Sequence, residues 1–183
     1  MIYIFLANGF EEIEALCPLD LLRRADLKVT TVGIGGNRIT GAHGITVSAD
    51  ITDTNYTDHV PEMIILPGGM PGTTNLDSSS TVETAIKCAV RNDSYIAAIC
   101  AAPMILGKRG ILSGKSVTCF PGFEKYLTGA DVREDAGVVR DGKLITAAGM
   151  GAALDFGLEL VSAFKGREYA EELRHAVIAD RKL

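Results

Sequence analysis

The stretch Tyr95-Ile96-Ala97-Ala98-Ile99-Cys100-Ala101-Ala102-Pro103-Met104 decides how the chain is read. Its first half is a short apolar run, as in a strand buried on both faces of a sheet. Its second half predicts a helix over Ala101–Lys108, because Pro103 is tolerated in a helix only within the first turn. The cysteine stands at the junction, among the small residues Ala98, Ala101 and Ala102. A sharp strand-to-helix turn crowds the backbone and admits only small neighbours, which is the steric logic of a nucleophile elbow. At such a turn the sulfur meets the free N–H groups of a helix start, which favours a thiolate. Strand ends of this kind are also where ligands bind in open α/β sheets. A free cysteine is as readily a buried core residue, and the stretch alone leaves both readings open.

Outward from it the same alternation continues. Ile2–Ala7, Lys28–Ile34, Met63–Leu66, Ser116–Cys119 and Leu144–Ala147 read as strands, the first and third as continuous apolar runs. Ile13–Ala25, Thr81–Arg91, Leu154–Phe164 and Glu168–Ile178 carry apolar residues at helical spacing. Asn37–Ser48 reads as a hairpin bending at Gly41 and Gly44. Strands and helices in this rhythm predict an α/β fold, a parallel sheet sandwiched by helices. With 183 residues, one domain over residues 1–183 is expected. A hydrophobic share of 47% against 22% charged excludes a disordered chain.

Charge and composition narrow the partners. Eighteen Lys and Arg against 23 Asp and Glu leave −5, and there is no Trp, so no nucleic acid is expected. The apolar stretch Tyr95–Gly107 falls short of the ~18 residues of a membrane helix. The first residues lack a basic leader and turn acidic by Glu11. A reducing cytoplasm and free thiols are the expectation. Cys17, Cys88, Cys100 and Cys119 form no CxxC pair, and His43, His59 and His175 are scattered, so no metal site is expected. Cys17 and Cys88 read as core or interface fillers, and Cys119 as core, with pocket lining as its other reading.

Three glycine patterns invite a nucleotide and do not sustain one. Gly33–Arg38 lacks the third glycine of a dinucleotide fingerprint. Gly110–Ser116 is one residue short of a phosphate loop and leads into a strand, where no helix N-terminus faces a phosphate. Gly137–Lys143 has the spacing but ends in Leu144, with no hydroxyl for a metal ion. All three read as turns.

Two further segments join Cys100. In Gly9-Phe10-Glu11-Glu12-Ile13-Glu14 three carboxylates open a helix, where they suit its dipole. Glu14 lies one turn beyond Phe10 and on the same side, so a carboxyl faces inward. Ionised, it would repel a thiolate; kept protonated by burial, it would donate to the thiolate and move a proton. In Leu66-Pro67-Gly68-Gly69-Met70-Pro71-Gly72, a strand ends in paired glycines, which lets backbone N–H groups converge as an oxyanion hole. An ordinary strand-exit turn has the same residues.

Taken together, GFEEIEA, the run Pro18–Ala25, LPGGMPG and AAICAAP resemble the ThiJ/PfpI superfamily, with its class I glutamine amidotransferase-like, flavodoxin-like fold. Within it the chain resembles the branch of the Parkinsonism-associated protein deglycase and its bacterial relatives, from Ile2 to about Val177. The resemblance implies that Cys100 is a reactive, oxidisable cysteine and Glu14 the protonated carboxyl bonded to it. It implies that Gly68 and Gly69 line the pocket, that Arg24 is structural, and that the protein is a homodimer with its first helix, around Ile13, at the interface.

The chain also departs from that pattern. Protease-like members have His after the cysteine, where this chain has Ala101, so a peptidase dyad is absent. Phe120 stands where the deglycase branch often has His. His43 stands where some members have an arginine reaching the partner's pocket. Gly149-Met150-Gly151-Ala152 replaces a Gly-Pro-Gly-Thr turn, so His43, Phe120, Gly149 and Met150 are candidate pocket wall.

The implied activity is cofactor-free conversion of small 2-oxoaldehydes, methylglyoxal to lactate, as a glyoxalase III or deglycase. Cys100 and Glu14 would be catalytic, and the amides of Gly69 and Ala101 would hold the oxyanion. The alternative is an oxidative-stress sensor or redox-regulated chaperone acting through a Cys100 sulfinate. Thiazole-phosphate synthesis and peptidase activity have the least support.

Overall fold

Alternate residues of a strand face opposite sides of a sheet, and the strands here use both sides for core. The computed structural model describes residues 1–57 and 59–181. In β1 (Ile2–Leu6), Tyr3 and Phe5 pack into one apolar cluster, while Ile2, Ile4 and Leu6 pack into a second. α1 (Glu12–Arg24) and β2 (Val29–Gly33) follow. A hairpin of β3 (Arg38–Thr40) and β4 (Thr46–Ser48) and the two-residue β5 (Ile51–Thr52) come next.

β6 (Met63–Leu66), α2 (Gly72–Asp77), α3 (Ser80–Arg91), β7 (Tyr95–Ile99) and α4 (Pro103–Gly107) form the middle of the chain. β8 (Ser116–Val117), β9 (Asp131–Val132), β10 (Val138–Asp141), β11 (Leu144–Ala147), α5 (Ala153–Lys165) and α6 (Arg167–Ala176) complete it. The main sheet runs β10-β11-β7-β6-β1-β2-β5, parallel except for the β10–β11 pair. This is a single-domain α/β architecture, as the alternation predicts.

Several bounds shift by a residue or two, and the predicted strand Ser116–Cys119 is only Ser116–Val117, paired with β9 outside the main sheet; three further differences have clear physical reasons. The helix after Cys100 starts at Pro103 rather than Ala101, because the first residues are spent on the turn itself: Ala102 N–H donates to Ile99 C=O at 3.0 Å. The Gly137–Lys143 pattern is not merely a turn. Its polar Arg140 and Asp141 belong to an edge strand, β10, which pairs with β11 in the register Asp141↔Leu144. α2 has no counterpart in the sequence reading, since GTTNLD contains few strong helix formers.

The register brings strand ends together. Leu66 lies opposite Ala98 and Ile99 opposite Ala147, so the loops after β6, β7 and β11 emerge at one edge. Among the described residues no helix is long and apolar enough to cross a membrane.

Candidate active site

Cys100 adopts a left-handed backbone, φ 64°, a conformation rare outside glycine and one that must be held in place by its surroundings. Both its backbone groups are held. Its N–H donates to Ala147 C=O at 2.8 Å, and its C=O accepts Phe120 N–H at 2.8 Å. The small neighbours expected of an elbow are present, with Ala98, Ala101 and Ala102 buried.

A second turn meets this one. Glu11 N–H donates to Gly68 C=O at 2.9 Å and Gly72 N–H to Gly9 C=O at 3.1 Å, lacing the β1–α1 turn to the β6–α2 turn. The approach leaves no room for side chains. At Gly68 a Cβ would lie 2.5 Å from Glu14 Oε2 and 2.7 Å from Cys100 Cβ. At Gly69, φ +87°, it would lie 2.3 Å from the Glu11 nitrogen.

The result is a buried Glu14 whose Oε2 accepts Gly68 N–H at 3.0 Å and whose carboxyl shares a hydrogen bond with the Cys100 sulfur. The amides of Ala101 and Gly69 also point at the sulfur, which is half-buried. Cys100, Glu14, Gly68, Gly69 and Ala101 are thus brought together.

The electrostatics of the sulfur differ from the sequence expectation. Burial first, then the charge of Glu14 and the hydrogen bond to it, push the Cys100 thiol up from 9.0 to about 12; the Ala101 and Gly69 amides pull the other way. A five-residue α4 that starts three residues on does not outweigh burial. Burial also raises the Glu14 carboxyl from 4.5 to about 7. Because the groups share a hydrogen bond, they titrate as a pair, with one proton released near neutrality and the second held far longer.

The remaining predicted residues divide. Phe120 is pinned by its bond to Cys100 and lies over Gly149, where a Cβ would meet its Cδ2 at 3.2 Å. Met150, next along, is exposed. His43 stands apart, on Glu11 and Glu12, with Nδ1 3.0 Å from Glu12 Oε2 and 3.2 Å from Glu11 Oε2. Glu12 Oε1 accepts His43 N–H at 2.8 Å and Ile45 N–H at 3.3 Å. Burial raises the Glu12 carboxyl, but the hydrogen bonds outweigh it and leave it below its ordinary value. The Glu12 bond, followed by the nearby charges, raises the His43 imidazole.

Sequence reasoning did not find this trio, whose ligand-type atoms lie within 4.8 Å of one another. A separation of about thirty residues bridged by a hairpin leaves no spacing signal. Arg24 pairs with Asp20 at 2.6 Å on the surface of α1.

Cys119 is buried in the apolar cluster that contains Ala98, whereas Cys100 packs against the cluster on the other sheet face, with Ala97 and Ile99. Burial first, and nearby Glu124 and Glu134, push the Cys119 thiol up to about 11. A surface cavity of about 500 Å³ lined by residues including Arg140, Asp155 and Arg174 contains none of the predicted residues. The chemistry therefore points to the strand ends rather than to that hollow.

The chain matches the family model described as DJ-1/PfpI family over residues 1–163. It is 34% identical to Protein dj-1beta of Drosophila melanogaster over 177 residues, covering 96% of this chain and 95% of that protein. The crystal structure of Drosophila melanogaster DJ-1beta superposes with a TM-score of 0.92 at 33% identity, covering 97% of this chain and 96% of that one. Glutathione-independent glyoxalase DJR-1.2 of Caenorhabditis elegans is 31% identical over 164 residues, covering 89% of this chain and 87% of that protein.

Proposed function

The chain belongs to the DJ-1/PfpI family, and from that premise we propose that it converts small 2-oxoaldehydes to 2-hydroxy acids through a hemithioacetal on Cys100. The observation that carries this reading is the hydrogen-bonded Cys100–Glu14 pair with two amides facing the sulfur. The glyoxalase named among its relatives supports the class of reaction.

The steps balance without an external oxidant. In the singly deprotonated pair the Glu14 carboxylate takes the Cys100 thiol proton as the sulfur attacks the aldehyde carbon, and the new alkoxide then takes that proton from Glu14. The carboxylate so formed removes the C1 hydrogen as the C2 oxygen gains a proton, giving an enediol; Glu14 then returns a proton to C2 as the C1 hydroxyl loses its own, giving the thioester. Water cleaves the thioester, releasing the hydroxy acid and the thiol. The negative charge starts and ends on Glu14, whose raised carboxyl is matched to giving and taking a proton near neutral pH. The Gly69 and Ala101 amides offset charge on the sulfur and on the adjacent oxygen. Removal of early aldehyde adducts from proteins would use the same groups.

The test is lactate formation from methylglyoxal without glutathione, compared with Cys100→Ser. No lactate from protein whose Cys100 remains reduced and alkylatable removes the proposal.

One observation favours a second role, oxidation of Cys100 to sulfinate. Cys119, the next cysteine along the chain, packs in the apolar cluster on the opposite sheet face, an arrangement that favours further oxidation of a sulfenic acid over its capture as a disulfide. Mild peroxide is then expected to add two oxygens at Cys100. Oxygen spread over Cys17, Cys88 and Cys119 would remove this role.

A further inference from the structure

We propose that Phe120 makes Cys100 selective for carbonyl compounds with an aryl or similarly broad apolar substituent, a reading that names the substrate class of the reaction proposed above and rests on it. Phe120 is fixed beside Cys100 by its backbone. Its N–H is bonded to Cys100 C=O at 2.8 Å, and two residues earlier Thr118 N–H is bonded to Thr146 Oγ1 of β11 at 2.9 Å. These bonds hold the segment across the ends of β7 and β11.

The ring itself is held on two sides. It lies against Gly149, where a Cβ would come within 3.2 Å, and it meets Phe123 edge-on at 6.5 Å between centroids and 74° between planes. Phe123 in turn packs on Tyr126 at 6.0 Å. One end of this aromatic row is thus anchored, yet Phe120 remains 47% exposed at the other. A buttressed ring with free area is a preorganised apolar platform, and ordering a partner against it costs little.

The polar donors point elsewhere. Gly69 N–H and Ala101 N–H face the sulfur, and Gly68 N–H faces Glu14. Met70 and Met150, both exposed, follow Gly69 and Gly149 directly. Phe120 has no polar atom with which to orient a carbonyl or move a proton. The division places the carbonyl on the inward amides and the substituent on the ring. A methyl group can cover little of a ring, whereas a phenyl group offers a face of its own to stack on it.

Two measurements test this. The first compares kcat/KM for phenylglyoxal and methylglyoxal, where the wild type is expected to favour phenylglyoxal by about tenfold, at the low end of what an extra apolar group yields because the platform is half open. Phe120→Ala is expected to lose that ratio, and Phe120→Leu to keep part of it.

The second is the rate of Cys100 alkylation by phenacyl bromide and by bromoacetone, each divided by its rate with free cysteine and read at the Cys100 peptide. The normalised preference is expected to follow the same order without any turnover. Equal normalised alkylation in wild type and Phe120→Ala overturns the proposal whatever the turnover. If neither aldehyde is consumed while the alkylation preference persists, the reaction fails and the selectivity stands. A Phe120→Ala protein that changes its sedimentation but not its aldehyde preference assigns the ring to a protein interface and also overturns the proposal.

Discussion

Replacing Glu14 with Gln should stabilise the protein while disabling it, and the size of the effect should depend on pH. In the unfolded chain Glu14 ionises at its ordinary 4.5; in the fold burial delays this to about 7. Between those values the folded chain holds a proton the unfolded chain has lost. Stability therefore falls as pH rises through this window and levels off above it. At about 1.36 kcal/mol for each pH unit, the full penalty is about 3 kcal/mol.

Gln has nearly the same shape and never ionises. Its oxygen can accept Gly68 N–H and its nitrogen can donate to the sulfur. The advantage of Glu14→Gln over wild type, measured by urea unfolding, should grow by about 2–3 kcal/mol between pH 5 and pH 8. Comparing the two proteins cancels the titrating groups that Glu14 does not touch, and the Cys100 thiol, raised to about 12 in wild type, titrates above this range. Over the same range the wild-type kcat/KM should rise through about 7, as the Cys100–Glu14 pair releases its first proton. The variant should lose that limb and turn over about 10²–10⁴ more slowly. An advantage that stays flat or shrinks with pH, or a variant that keeps most of its turnover, would refute the shared-proton account.

Other substitutions probe the frame. Gly68→Ala places a Cβ 2.5 Å from Glu14 Oε2 and 2.7 Å from Cys100 Cβ. It should cost about 1–3 kcal/mol in urea unfolding, and it should reduce both alkylation of Cys100 and turnover. Glu12→Gln weakens the hydrogen bonds that hold His43 and Ile45, with an expected loss of about 1–3 kcal/mol and faster hydrogen exchange at those two amides. Because the folded Glu12 carboxyl lies below its ordinary value, this contribution is present above the ordinary carboxylate range and is lost as pH falls through it. Ile13, 48% exposed on α1, is proposed to lie in a homodimer interface. Ile13→Lys should sediment as a monomer where wild type sediments as a dimer; a monomeric wild type would remove the interface.

The parts of this fold legible in the sequence are those whose cause is local. Met63–Leu66 and Tyr95–Ile99 are apolar at every position, and Pro67-Gly68-Gly69 and the residues around Cys100 stop them abruptly, so both strands have the bounds the sequence predicts. Segments stabilised by neighbours were less legible. Val138–Asp141 is a strand because β11 offers it an edge, and its polar Arg140 and Asp141 resemble a turn in sequence. α2 is built from GTTNLD, and three of its residues, Gly72, Thr73 and Leu76, are buried against the rest of the molecule. Its helix is a product of tertiary packing rather than of propensity.

At the site the same distinction separates position from energy. Strand-end logic and helical spacing are enough to bring Cys100, Glu14 and the paired glycines together. The sign of the thiol shift is not accessible that way. Two amides and a short helix favour the thiolate, while burial and the neighbouring carboxyl oppose it, and the balance depends on how completely the turns close over the pair.

That closure makes the glycines part of the chemistry. With any side chain at position 68, Glu14 and Cys100 could not both occupy their places. With one at position 69, the β1–α1 turn that carries Glu14 could not approach. The short run Pro67-Gly68-Gly69 therefore sets the distance between acid and sulfur, and through it their exclusion from water. The raised carboxyl follows from a steric allowance in the backbone as much as from the identity of the two reacting groups.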